Sequence, residues 1–264
     1  MNEIETILTI LQKCDRSRLY LDKRSSLLDL ERLNRLEKIL KRRISGEALQ
    51  YLVGDVEFMG LRLRVKPGVL IPRPETETLV ETALARISAS KIVMPKILDI
   101  GTGSGNIAIA IAKFLTDGRI YAVDISDVCL RVAASNARLH RVRQRIVLRK
   151  SDLFSCFKGE KQVFDFIVSN PPYIAPAEYE SLPRDVRQEP ALALLARDNG
   201  LYFYPRIEEG ARGYLKPGGV VFLEIGDSMA RDLAKIFGDR SVWQEPRFVN
   251  DLAGIERVAV IEKV

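Results

Sequence analysis

From Lys96 onward the chain alternates short β-type apolar runs with segments of helical period, and no feature constrains its fold more. The pattern predicts strands at 96–100, 119–124, near Arg145, from Phe164 and from Gly219, with two closing strands near Trp243 and Val258. Helices are predicted from Asn106 and from Ser126, with more between the later strands. Strands separated by helices pair in parallel and are covered on both faces, so the expectation is an α/β protein with a doubly wound sheet. Ligands of such sheets bind beyond the carboxyl ends of the strands, where the strand order reverses.

The chain has 264 residues, 47% of them hydrophobic and 29% charged, enough for one full-sized domain and a small appendage. Its net charge of +6 is compatible with an anionic partner without requiring one. Cys14, Cys129 and Cys156 are widely spaced, which excludes a disulfide framework and a zinc ribbon and points to a reducing compartment. His140 is the single histidine and stands among arginines, so a Ser-His-Asp hydrolase or a histidine-rich metal site is excluded and no metal is expected. The first residues lack the positive charge of a secretory signal, and no apolar run approaches the roughly 20 residues that cross a bilayer. A cytoplasmic protein without membrane contact is expected.

Residues 1–46 place Leu8, Leu11, Leu19, Leu27, Leu28, Leu33, Leu36, Ile39 and Leu40 at three- and four-residue steps among Lys and Arg. Two or three amphipathic helices follow from that spacing, either as a plain appendage or as a module that docks a macromolecule. Residues 47–74 change to short alternating runs broken by Gly54, Gly60 and Pro67, the pattern of a β-hairpin linker. A helix beginning near Glu75 then opens the main domain, 75–264, because a proline and acidic residues occupy its first turn.

The first strand of that domain runs into LDIGTGSGN at residues 98–106. Glycines at 101, 103 and 105 let the backbone turn tightly and approach a ligand, and the helix behind offers free N–H groups. The dinucleotide pattern GxGxxG fails because Asn106 stands at its third glycine, and the phosphate-binding GxxxxGK[ST] finds no lysine. Asp124 closes the next strand 19 residues after Gly105, where an acid hydrogen-bonds the hydroxyls of a ribose. A nucleoside ligand is therefore expected. After the fourth strand comes NPPY, Asn170 with Pro171, Pro172 and Tyr173. Two prolines end the strand and remove two donors, leaving the Pro171 carbonyl and the Asn170 side-chain oxygen as adjacent acceptors. Such a pair suits one planar NH2 group, an amide or an exocyclic amine, with Tyr173 against its flat face.

The glycine turn together with NPPY resembles the class I S-adenosylmethionine-dependent methyltransferases that act on nitrogen. The resemblance narrows through IPRPETE at 71–77, SDLF at 151–154, FDFIVSNPPYI at 164–174, QEPALAL at 188–194, LKPGGVVFLEIG at 215–226 and DLAGIERV at 251–258. As an ordered set, these are similar to the release factor glutamine methyltransferases, the PrmC or HemK family, from Gly46 to the carboxyl terminus. The resemblance implies a Rossmann-like fold with a seven-stranded, mostly parallel sheet, a small helical N-terminal domain and a connecting hairpin. It implies S-adenosyl-L-methionine as cofactor, held by Gly101, Thr102, Gly103, Ser104, Gly105, Asp124, Asp152, Leu153 and Asn170. Its methyl acceptor would be the glutamine side-chain amide in the Gly-Gly-Gln motif of class I peptide chain release factors, a step supporting translation termination. Asn170, Pro171, Pro172 and Tyr173 would receive that glutamine, with Asn170, Pro171 and Tyr173 catalytic. The expected state is a monomer that requires no nucleic acid.

Two other classes compete. A nucleic-acid amino methyltransferase would grip adenine or guanine with the same acceptors, but the chain has no evident added recognition domain. A non-catalytic cofactor-binding protein would be expected to have lost the turn, the ribose acid or the acceptor pair. The segment 138–150, with Arg138, Arg141, Arg143, Arg145, Arg149 and Lys150 and no acid, reads as a solvated turn or as an RNA contact.

Overall fold

The computed structural model describes residues 3–12, 14, 16–21 and 29–264. The described part of residues 1–46 forms helices α1 (Glu3–Gln12), α2 (Arg16–Leu21) and α3 (Leu30–Ile44), where the leucine spacing predicts two or three, while Leu27 and Leu28 lie outside the described residues. Asp29 starts α3 by accepting a hydrogen bond from the Arg32 N–H at 2.8 Å, and Lys41, Arg42 and Arg43 complement the dipole at its other end. Ile7, Leu11 and Ile39 meet Leu52 of the short helix α4 (Leu49–Val53) in a small core of their own. The linker thus contains a helix as well as a hairpin.

That hairpin pairs β1 (Asp55–Phe58) with β2 (Leu61–Arg64) in antiparallel register, Phe58 opposite Leu61. Met59 and Gly60 make its two-residue turn with φ of 49° and 70°, the left-handed conformation that matches strand twist. Leu61 and Leu63 point inward, and Arg62 and Arg64 outward.

The remaining elements are α5 (Glu75–Ser90), β3 (Lys96–Ile100), α6 (Asn106–Phe114), β4 (Arg119–Asp124), α7 (Asp127–Leu139), β5 (Ile146–Lys150), β6 (Phe164–Ser169), α8 (Ala191–Leu194), α9 (Phe203–Tyr214), β7 (Leu215–Glu224), α10 (Ala230–Ile236), β8 (Arg247–Asn250) and β9 (Glu256–Glu262). Seven strands form one sheet in the order β5-β4-β3-β6-β7-β9-β8. Pairing is parallel from β5 to β7, and β9 lies antiparallel to both β7 and β8. Alternate residues of each strand serve the two faces: Ile97, Ile120, Phe166 and Phe222 pack under α5 and α6, while Leu98, Val123, Ile167 and Leu223 join Tyr204, Ile207 and Leu233 of α9 and α10.

Two strand positions differ from the sequence reading. The first closing strand begins at Arg247 rather than near Trp243, because Pro246 has no N–H for the ladder. Trp243 instead buries its ring, makes one bridge to Lys263 and donates from Nε1 to Glu208 at 2.6 Å. β7 starts at Leu215, ahead of Gly219, across an irregularity opposite Phe164–Phe166. Among the described residues no helix is long and apolar enough to cross a membrane, and no cluster of His, Cys, Asp and Glu is placed to hold a metal ion.

Candidate active site

The strand order reverses between β3 and β6, and the carboxyl ends of β3, β4 and β6 open there into a cavity of about 410 Å³. That volume is in the range of small-molecule and cofactor sites. Its walls carry Gly101, Thr102, Gly103, Ser104, Asp124, Asp152, Leu153, Asn170, Pro171 and Pro172, ten of the residues singled out in the sequence. Gly105 and Tyr173 are not on the wall.

The glycine turn is built from the strand outward. Gly101, Thr102 and the end of β4 are tied together, since the Gly101 and Thr102 N–H groups both donate to the Val123 carbonyl at 2.9 Å. Gly101 has φ of 72°, and nothing within 4 Å would meet a side chain there, so the backbone itself faces open space. Gly105, at φ 84°, serves packing: a Cβ would stand 2.9 Å from Ile109 Cδ1 and 3.1 Å from Ala133 Cβ, between α6 and α7. Asp99 lies fully buried beneath the turn, where its Oδ2 accepts from the Thr102 hydroxyl at 2.6 Å and the Ala108 N–H at 3.2 Å. Burial pushes its carboxyl up to about 7 against those two bonds. Among the described residues, Asp99 Oδ1 and Ser104 Oγ are buried without a hydrogen-bond partner.

Asp124 does more than end β4. Its Oδ2 accepts from the Gly103 N–H at 2.9 Å and its Oδ1 from the Ser126 N–H at 2.8 Å, so one carboxylate braces the glycine turn and the start of α7. Burial raises its pKa and these N–H groups oppose the shift. Leu153 reaches the cavity through a left-handed backbone, φ 46°, and Asp152 pairs with Arg206 at 3.0 Å. Tyr202 and Phe203 close the same side.

Across the cavity, Asn170 follows β6. Its Nδ2 donates to the Thr76 hydroxyl at 3.1 Å, which turns the amide so that Oδ1 is left as an acceptor. Neither that oxygen nor the Pro171 carbonyl accepts a hydrogen bond from another described residue. The Tyr173 hydroxyl donates to Glu224 at 3.3 Å, and burial with the nearby Glu224 carboxylate drives its pKa well up. Behind Tyr173 the chain is pinned by Gly200, whose Cβ would sit 2.2 Å from the Tyr173 carbonyl oxygen, and by exchange of bonds between Ile174 and residues 194 and 196.

IPRPETE and QEPALAL gain roles here. Arg73 lines the cavity and is ion-paired to Glu189, whose other oxygen accepts from the Ile71 N–H at 2.9 Å. Burial raises the Glu189 pKa and the guanidinium counters it. Sequence reasoning missed Thr76, Arg206 and Glu224 as site residues. Thr76 and Glu224 lay in motifs already noted and Arg206 in none, and the partners of all three lie too far along the chain to be read from spacing.

The basic segment is largely committed to the fold. Arg145 caps the end of α6 through the Ala112 and Leu115 carbonyls, and Arg143 donates to the Ile146 carbonyl. Lys150 pairs with Asp127, and the Arg149 guanidinium lies 5.3 Å from the Phe157 ring. His140 bonds the Arg62 carbonyl at 2.7 Å, away from the cavity wall.

The sequence matches the family models for the methyltransferase small domain over residues 76–187 and for the PrmC N-terminal domain over residues 1–54. It is 42% identical over 226 residues to the release factor glutamine methyltransferase of Moorella thermoacetica, covering 84% of this chain and 77% of the relative. To that of Thermodesulfovibrio yellowstonii it is 35% identical over 264 residues, covering 100% of this chain and 92% of the relative. Among solved structures, the ribosomal protein L11 methylase of Lactobacillus delbrueckii subsp. bulgaricus superposes with a TM-score of 0.53 at 23% identity, over 76% of this chain and 84% of that one, a likeness of fold. The seven-stranded sheet and the identities over nearly the whole chain agree: it belongs to the release factor glutamine methyltransferase family, on a class I methyltransferase fold.

Proposed function

We propose that this chain transfers a methyl group from S-adenosylmethionine to the side-chain amide nitrogen of the glutamine in the Gly-Gly-Gln motif of class I release factors. The observation that carries the reading is the Asn170 amide, held by Thr76 so that its oxygen and the Pro171 carbonyl stand as two unused acceptors beside the glycine turn. The relatives' names support the same substrate.

The residues present fit the cofactor. The exposed backbone at Gly101, the orphaned Ser104 Oγ and the 410 Å³ cavity leave room and polar atoms for its methionine part. Thr102, Gly103 and Gly105 shape that cradle, Asp124 would hold the ribose, and Asp152 with Leu153 would flank the adenine near Asn170. The bound cofactor supplies an electrophilic methyl on a positively charged sulfur.

An amide nitrogen is a weak nucleophile because its lone pair is shared with the carbonyl. Asn170 Oδ1 and the Pro171 carbonyl would each take one N–H of the glutamine, aligning the nitrogen and favouring positive charge as it develops there. Pro172 keeps this turn rigid, and Tyr173 anchors it from behind. The chemistry needs no imidazole, in keeping with a single histidine away from the cavity wall.

Residues 1–46 are read as the module that docks the release factor, 47–74 as its linker and 75–264 as the transferring domain. In support, α3 packs Ile39 into the small helical core but leaves Leu30 and Ile44 75% and 83% exposed.

The test is methyl transfer from labelled S-adenosylmethionine to a purified class I release factor. Label should appear on the native factor and vanish with a Gly-Gly-Ala factor or with the Asn170→Ala enzyme. Label on ribosomal RNA or DNA instead would refute the reading.

A further inference from the structure

Glu224 is the last residue of β7, next to β6, and only 1% exposed. A buried carboxyl in a sheet core is costly unless its oxygens are matched, and this one is only half matched. Its Oε1 accepts from Tyr173, while Oε2 is buried with no hydrogen-bond partner of good geometry among the described residues. The neighbouring donor is the Thr76 hydroxyl, which opposes the effect of burial on the carboxyl, and that same hydroxyl accepts from Asn170 Nδ2. Thr76 is itself 1% exposed, so water does not reach this junction freely.

We infer that Glu224 is a positioning residue for methyl transfer: through Thr76 it sets which way the Asn170 amide faces, and through Tyr173 it fixes the turn that carries the second acceptor. This rests on the proposed glutamine-methylating function and adds a control element to the same site.

The direction of control follows from hydrogen-bond bookkeeping at one oxygen. With Glu224 charged, the neighbouring Thr76 hydroxyl would turn its proton toward the unpartnered carboxylate oxygen, leaving its own oxygen to accept from Asn170 Nδ2 as it does in the structure. Asn170 Oδ1 then faces the substrate as an acceptor. With Glu224 neutral, the carboxylic O–H can donate to Thr76, whose proton turns toward Asn170 and is met by Oδ1. The amide then presents Nδ2, a donor, to the substrate's own NH2, and the two repel. Burial pushes the Glu224 carboxyl up to about 7, opposed by the Thr76 and Tyr173 hydroxyls and by the Arg257 guanidinium, with Glu75 adding to the rise. Facing groups are thus Arg257 on β9, Glu75 and Thr76 on α5, and Tyr173, with the Tyr204 hydroxyl of α9 on the Glu224 backbone carbonyl at 3.0 Å.

The experiment compares the full-length enzyme with Glu224→Gln, Thr76→Val and Thr76→Ser, measuring kcat and KM for the release factor from about pH 6 to about pH 9. The wild-type kcat should fall on the acid side, and Glu224→Gln, which cannot titrate, should lose that limb. Thr76→Val, nearly isosteric, should lower kcat by at least about tenfold with little change in KM, and Thr76→Ser should restore it. A flat wild-type profile, an acid limb that survives Glu224→Gln, or wild-type kcat in Thr76→Val would each overturn the inference. If Glu224→Gln does not fold, the Thr76 pair decides alone. Wild-type labelling of the native over the Gly-Gly-Ala factor, measured alongside, separates the two failures: without it the proposed function falls and this inference with it, and with it only the inference is at stake.

Discussion

The two walls of the cavity are made in different ways. On the glycine-turn wall the bonds that hold the turn itself are comparatively short in sequence: Thr102 to Asp99 spans 3 residues, Ala108 to Asp99 spans 9, Gly103 to Asp124 spans 21 and Asn136 to the Ser104 carbonyl spans 32. On the acceptor wall they are long: 94 residues from Asn170 to Thr76, 116 from Arg73 to Glu189 and 51 from Tyr173 to Glu224. A local βαβ unit can form the first wall by itself, whereas the second exists only when the whole domain has closed several long loops. Substitutions distant in sequence should therefore disturb methyl acceptance while sparing cofactor binding, and the reverse should hold for the glycine-turn wall.

Gly200→Ala is the strongest challenge to that contrast. A Cβ at φ 87° would stand 2.2 Å from the Tyr173 carbonyl oxygen, so the turn carrying Asn170 and Pro171 must move. Transfer should drop by about 100-fold, the scale of a misplacement near 1 Å, while cofactor titration stays close to wild type. Equal loss of both would show that the walls are not separable. Asp124→Ala is the mirror case. It removes the acceptor for Gly103 and Ser126, and cofactor affinity, read by calorimetry, should weaken by about 10- to 100-fold, the value of one hydrogen bond to a charged group.

Smaller effects sharpen the comparison. Arg73→Ala would leave Glu189, whose side chain is 1% exposed, without its cation. Because Arg73 is itself 31% exposed, the loss is about 2 kcal/mol, below the range for fully buried pairs, and a denaturant midpoint would report it. Stability should also fall as pH rises from about 5 to about 8. The folded chain keeps protons on Asp99 and Glu224 up to about 7 in each case, while the unfolded chain has released them near the ordinary carboxylate values of 3.8 and 4.5. The folded state therefore binds more protons in that window, and raising the pH favours unfolding. Carboxylates held low, such as Asp239 and Asp251, have finished titrating below it. Asp99→Asn should flatten the melting temperature against pH, and an unchanged slope would contradict the assignment. Least of all, His140→Ala should leave transfer unchanged and cost under about 1 kcal/mol, since the ring only bonds the Arg62 carbonyl at the surface.

The same contrast explains what was legible in the sequence. The glycine turn, Asp124 and the strand carrying Asn170 could be placed from spacing alone, because local geometry fixes them. Gly105 was read as part of the ligand cradle, and the further constraint that it lets α6 pass Ala133 is a contact that no single-sequence pattern reports. Tyr173 was expected on the face of the substrate, and the bond of its hydroxyl to Glu224 could not be read from the sequence. Thr76, Glu189 and Glu224 lay within motifs quoted for the resemblance, but pairing them requires knowing that α5, the loop before α8 and β7 converge on the end of β6. Pro246 was visible and should have moved the first closing strand past Trp243.

The central claim is that two acceptors beside the glycine turn present an amide nitrogen to the methyl group. Mass spectrometry of a class I release factor, digested after incubation with enzyme and S-adenosylmethionine, tests it most directly. The account predicts a single added methyl on the side-chain nitrogen of the Gly-Gly-Gln glutamine. Methylation of any other residue of the factor, or none on the factor while nucleic acid in the same reaction is methylated, would contradict it.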